Sequence, residues 1–458
     1  MNYRVSAAIA ALLLWGIFLL KLALPIMLGL LATFLGFTAL LLTRRRIDFI
    51  GVLVLLNFIY WMYSGLALGA HSLRDYISIP FINGEGRIFT SYFALLFFSM
   101  AMVREYNVYA LHRMILVMAK ISFVFYLIWT PTHLGFLSEG GASNFVGLLT
   151  SHTGSGTFFG FLAIFLIIYG YETNNWKSQL WGWLSLGPLF GSASREALLA
   201  FLIVGIWYVA KLRKWKMATV SILMLAFTIA SLPVIAPHTW ARTAALFSSE
   251  LVDTIIITAE TSEWEPGDGD IDLMGRQQNV LTRITFWTYS IKRFIDSPIV
   301  GIGFGRYNDT HLKLSGIPGL FYVATDGDKS LSVGNAHNSF IHLLCESGLI
   351  GLALMLWLWG TLYFRLRRAA RRFRHLRGAY ALFMANQALV LYCMVAALTG
   401  HALGAPSLMI PVGVTIGVAI AYQRFLQKAA VVGTEQAPPP VPARVHGEMI
   451  LPDNPGNA

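Results

Sequence analysis

His337 and Asn338 stand where a long polar stretch gives way to an apolar one, and nine residues separate Asn338 from the run Gly348-Leu349-Ile350-Gly351. Imidazole is the side chain whose ordinary pKa lies nearest neutrality, so a histidine at such a boundary can take or give a proton. Asn338 or Ser339 is of the type that caps the first turn of a helix. Taken alone, His337 reads either as a polar cap or as a base. Arg195, in Ser192-Ala193-Ser194-Arg195-Glu196, interrupts apolar sequence. An arginine there is costly unless it is paired or faces a watery cavity. Glu196 can neutralise it, or the planar guanidinium can anchor a phosphate. Arg276 and Arg283 are seven residues apart, hence within about 20° of each other on a helix. They can present two guanidinium groups together, or form a solvated face that meets lipid headgroups.

Other motifs carry less. Gly301-Ile302-Gly303-Phe304-Gly305 has the look of a dinucleotide loop, but it follows Pro298 without the strand and helix that role needs, so its glycines read as a tight turn. Asp268-Gly269-Asp270-Ile271-Asp272 alternates like a calcium loop and lacks the Glu and spacing of one. It reads as solvated loop. The two cysteines, Cys345 and Cys393, lie inside apolar runs, so neither a disulfide framework nor a cysteine metal site is expected. His342 and Glu346 form an i,i+4 pair within an apolar run and read as structural or supporting. His152 lines a cavity or packs in the core.

These residues must be held by membrane helices. Of the 458 residues, 56% are hydrophobic and 12% charged, a polytopic membrane composition. The net charge of +11 falls in short clusters between apolar runs, as topology signals do, which argues against nucleic acid. The fold class expected is an all-α polytopic membrane protein of about twelve spans. They fall near 6–22, 24–43, 47–69, 88–103, 114–131, 144–170, 179–193, 196–210, 217–236, 339–363, 380–399 and 406–424. A broken or re-entrant helix can occur among the sixth to eighth. The run after Met1-Asn2-Tyr3-Arg4 has no cleavage site and reads as a retained first helix.

Arg44-Arg45-Arg46, Arg104, Arg113, the Lys211 to Lys216 cluster and the run from Arg365 to Arg377 all fall on one face, which the positive-inside rule makes cytoplasmic. The organisation expected is therefore nine spans over 1–236, a periplasmic loop over 237–338, three spans over 339–426 and a Pro-rich disordered tail over 427–458. The loop carries 12 acidic and 8 basic residues, the reverse of the rest of the chain. Within it Val280, Ile284, Trp287, Ile291 and Phe294 recur at helical spacing before Ser297-Pro298, predicting an amphipathic helix on the membrane surface.

Three motifs together resemble the bacterial O-antigen ligase and polymerase superfamily. They are Arg195-Glu196-Ala197-Leu198-Leu199; Arg283-Ile284-Thr285-Phe286-Trp287 ahead of Pro298 and Gly301-Ile302-Gly303; and His337-Asn338 through Gly348 and Gly351. The resemblance implies a membrane glycosyltransferase of the inner membrane, with a multi-pass fold like that of other lipid-donor transferases and a site facing the periplasm. It implies a donor glycan on undecaprenyl pyrophosphate and an acceptor hydroxyl on lipid A-core or another glycan. The implied transfer is inverting, without metal or cofactor. Carried over, the base falls on His337 and the pyrophosphate contacts on Arg195 and Arg283, with Arg276 the runner-up. Asn338, Trp287, Glu346, Gly348 and Gly351 are supporting positions. The alternatives are a polysaccharide polymerase of the same superfamily and, in another class, a flippase or transporter of lipid-linked glycans. The latter calls for paired broken helices in two related halves.

Overall fold

The computed structural model describes residues 5–6, 47–68, 86–139, 144–149, 151–212, 219, 230, 283, 286–308 and 335–432. The expected spans near 6–22, 24–43 and 217–236, most of the loop over 237–338, Arg276, the Asp268 to Asp272 run and the tail beyond 432 lie outside the described residues.

What is described is helical apart from a two-residue antiparallel pairing of β1 (Ser138–Glu139) with β2 (Asn144–Phe145). The helices are α1 (Phe49–Ala67), α2 (Gly86–Met100), α3 (Glu105–Thr132), α4 (His152–Thr173), α5 (Trp176–Leu184), α6 (Leu186–Gly191) and α7 (Arg195–Leu212). Then come α8 (286–296), α9 (Ser339–Arg372), α10 (Arg377–Thr399) and α11 (Pro406–Val432). Among the described residues, α1, α3, α4, α9, α10 and most of α11 are long and apolar enough to cross a membrane. The chain is an all-α, multi-pass membrane protein.

Helix α4 sits at the centre, apolar all round and buried along nearly its whole length, as an interior helix must be. Its small residues let neighbours come close, which is how helices associate when lipid supplies no hydrophobic drive. A Cβ at Gly154 would lie 2.8 Å from Ser407 Oγ, one at Gly156 2.2 Å from Ser194 Cβ, and one at Gly160 2.1 Å from the Tyr392 hydroxyl. Those three positions draw in α11, the turn before α7, and α10.

Two expected spans differ in detail. The span near 144–170 begins only at His152, where Ser151 Oγ accepts from the Gly154 amide at 3.2 Å. The span near 179–193 is two short helices, α5 and α6, meeting at Ser185. Pro188 has no N–H to donate to Leu184, so it suits the first turn of a new helix, α6, and not the interior of one continuous span. The break expected among the sixth to eighth spans falls there.

The bundle has two unlike ends. At one, Arg365 pairs with Asp48 at 2.6 Å, Tyr208 donates to Glu172, Lys211 donates to Gln387 and Arg424 donates to the Ser99 carbonyl. The described arginines of the expected cytoplasmic face gather at this end. The other end holds the starts of α4, α7, α9 and α11 and the close of α10.

Candidate active site

The last four residues before α9 are shaped by local hydrogen bonds. The His337 amide donates to Asn335 Oδ1 at 2.9 Å, and His337 takes a left-handed backbone with φ of 47°. That conformation is uncommon for a residue with a Cβ and holds only where the surroundings impose it. Asn338 then caps α9: its Oδ1 accepts from the amides of Phe340 and Ile341 at 2.9 and 3.1 Å. Its amide group donates to the Leu398 carbonyl at 2.8 Å, and the Ser339 amide donates to the Gly400 carbonyl at 3.1 Å. The start of α9 is thereby tied to the end of α10.

Helix α8 closes the third side. Trp287 Nε1 donates to the Ala336 carbonyl at 2.6 Å, and the Phe286 ring lies nearly parallel to the His337 imidazole, 6.1 Å away between centroids. Arg283, ahead of α8, donates from Nη1 to the Thr399 carbonyl at 2.8 Å. Burial and then the charges of Arg283 and His152 push the His337 pKa down to about 4, so its imidazole is neutral near pH 7. His401, in the turn between α10 and α11, is likewise held well below its ordinary value by burial and by His342 and His337.

The first turn of α7 brings Arg195 and Glu196 to the same end. Arg195 is exposed and Glu196 is buried, 8% accessible. The Glu196 carboxylate interacts electrostatically with Arg283 and with Arg195. It sits directly on Gly400, where a Cβ would lie 1.7 Å from Glu196 Oε2.

A separate layer supports this one. Helix α9 is not a continuous span: Gly348, at φ 61° and ψ −163°, breaks it. The helix hydrogen bonds lost there are remade with the chain that follows α8. The carbonyls of Cys345 and Glu346 accept from the amides of Ile302 and Gly303, while the amides of Leu349 and Ile350 donate to the carbonyls of Pro298 and Ile299. The two chains touch backbone to backbone, because a Cβ at Gly301 would lie 2.4 Å from the Glu346 carbonyl carbon and one at Gly348 2.3 Å from the Ile299 oxygen. Glu346 completes the joint: Oε1 accepts from the amides of Gly305 and Tyr307, each at 3.0 Å, and Oε2 lies 3.3 Å from His342 Nε2. The Tyr307 and His401 rings pack against His342 at 4.5 and 4.8 Å.

Of the residues singled out from sequence, the structure groups His337, Asn338, Trp287 and Arg283, with Arg195 joined to them through Glu196. Glu346 and Gly348 lie in the supporting joint, and Gly351 packs on Ser347 and Tyr60. The Gly301 to Gly305 run, expected as a tight turn, has positive φ at all three glycines and also supplies the amides of Ile302, Gly303 and Gly305 to that joint. His401 and Gly400 were not foreseen, and Phe286 was named only as part of a motif. Thr399-Gly400-His401 could have been found as a polar interruption between two apolar runs at the same end as His337. Among the described residues no group of His, Cys, Asp or Glu is arranged to hold a metal ion.

Residues 180–356 match the family model described as O-antigen ligase, and the resemblance to the ligase and polymerase superfamily is shown over that part of the chain. The matched stretch contains Arg195, Arg283 and His337 and stops before Gly400 and His401. No curated protein sequence matches the chain.

Proposed function

We propose that the protein is a membrane glycosyltransferase that moves a glycan from undecaprenyl pyrophosphate to an acceptor hydroxyl, lipid A-core in the first instance, on the periplasmic side of the inner membrane. The observation that carries this reading is an uncharged, half-buried imidazole beside a guanidinium, at the end of the bundle opposite the arginine-rich one. A neutral imidazole can accept a proton, and an adjacent fixed cation can stabilise a departing anion.

In the proposed step the acceptor oxygen attacks the anomeric carbon as the bond to the diphosphate oxygen breaks. The hydroxyl proton passes to His337, and the diphosphate leaves with the bonding electron pair. Attack opposite the leaving group inverts the anomeric centre. Arg283 and Arg195 bind the diphosphate and take up the charge that develops on it; Arg276 is the alternative to Arg283. Because the leaving group is already activated, the step needs no metal ion. Asn338 and Trp287 position the imidazole through the bonds to Leu398 and Ala336. Glu346, Gly348 and Gly351 support the frame.

The test uses purified protein, an undecaprenyl-linked glycan, and either lipid A-core or a second lipid-linked glycan as acceptor. His337→Ala is expected to abolish transfer while donor binding persists, since a base acts on the transition state more than on the ground state. Near wild-type turnover by His337→Ala would refute the assignment. Transfer only to the second lipid-linked glycan would make the protein a polymerase.

A further inference from the structure

Glu196 is a buried ionisable group at this site that the transfer step does not use. Its Oε2 is buried and, among the described residues, accepts no hydrogen bond. Such an atom is costly to leave charged unless nearby cations compensate. Among the described residues, the charged and titratable groups facing it are Arg195 on its own helix, Arg283 ahead of α8 and the neutral Tyr392 hydroxyl on α10. Tyr392 donates its proton elsewhere, to the Thr157 carbonyl at 3.0 Å. On the remaining side is the bare Cα of Gly400. The two arginines are therefore what compensates the carboxylate, and they are the same two that the proposed function gives to the donor.

We infer that Glu196 is an internal stand-in for the donor's anion: in the empty site it holds Arg195 and Arg283, and when a diphosphate takes those arginines the carboxylate is neutralised by a proton from solvent. The inference rests on the donor-site reading above. Two anions sharing two cations in a buried place repel, and neutralising the weaker acid removes the repulsion. Glu196 then positions the arginines while the site is empty, and donor binding is coupled to proton uptake.

The probe is farnesyl pyrophosphate titrated calorimetrically into the purified full chain in detergent, in two buffers of different ionisation enthalpy, at pH 7 and pH 8. Wild-type protein is expected to take up a fraction of a proton more than Glu196→Gln does. Its affinity should weaken as pH rises, by at most about tenfold per pH unit relative to that variant. Glu196→Gln should bind the probe more tightly than wild type, because the competing charge is gone. Gly400→Ala is a second perturbation that leaves the charge in place. Its φ of −155° suits any residue, so the new methyl group acts only by turning the carboxylate away. It should change the proton uptake without abolishing binding.

Equal proton uptake by wild type and Glu196→Gln, or weaker binding by the variant, would overturn this inference and leave the donor site standing. No binding of the probe by wild-type protein would overturn both.

Discussion

Replacing Gly348 by alanine tests the joint on which the candidate site is built. The residue's φ of 61° with ψ of −163° lies in a region that only glycine occupies readily. Forcing a Cβ into it costs about 1–3 kcal/mol. The new carbon would also lie 2.3 Å from the Ile299 oxygen, 2.4 Å from its carbonyl carbon and 2.6 Å from the Val300 nitrogen. All three are backbone atoms held by the bonds from Leu349 to Pro298 and from Ile350 to Ile299, at 2.9 and 3.3 Å. They cannot move aside as a flexible side chain could. Overpacking of this kind adds about 1–3 kcal/mol, for a total of about 2–6 kcal/mol. The control is Gly360→Ala in the same helix, where a Cβ meets nothing within 4 Å and helix propensity should stabilise by about 0.5–1 kcal/mol.

Hydrogen exchange followed by mass spectrometry reads the difference locally. Peptides covering 298–307 and 343–352 should exchange at least about 30-fold faster in Gly348→Ala, the lower end of the cost at about 1.4 kcal/mol per factor of ten. Transfer activity should fall with them, because Glu346 would no longer hold the amides of Gly305 and Tyr307. Unchanged protection in Gly348→Ala, or equal loss in Gly360→Ala, would refute the reasoning.

Two further outcomes are expected. With the His337 pKa near 4 in the empty site, the acid limb of kcat/KM should lie near pH 4, since the base works deprotonated; it is read in Glu196→Gln, where the proton uptake inferred above adds no fall at higher pH. The kcat limb should lie higher, because a bound diphosphate offsets the Arg283 charge that helps depress the imidazole; a kcat/KM limb near 6.5 would refute the environment assigned to His337. For orientation, a cysteine placed at the exposed Ile299 should react with an impermeant thiol reagent from the periplasm, and one at Arg374 should react only after the inner membrane is opened. The reverse pattern would invert the topology and the functional reading with it.

Sequence by itself determined the class of the protein. Runs of apolar residues long enough for a bilayer force helices, because backbone groups in lipid have no partner outside their own segment. Asn338 announced its cap through a local rule, and so did the stop at Ser297-Pro298. His337 and the arginines stood out because charge and imidazole are expensive beside apolar helices.

What sequence could not decide was which of these residues meet. Arg283 reaches Thr399, 116 residues away, and the Cα under the Glu196 carboxylate belongs to Gly400. Local periodicity carries no information about such pairs. Nor could it tell that α9 breaks at Gly348. A Gly-x-x-Gly inside an apolar run is read equally well by a straight helix packed on small residues. The break is fixed only when Pro298 to Gly303 supplies the hydrogen bonds that the helix gives up, and that exchange exists only between segments brought together in the folded chain.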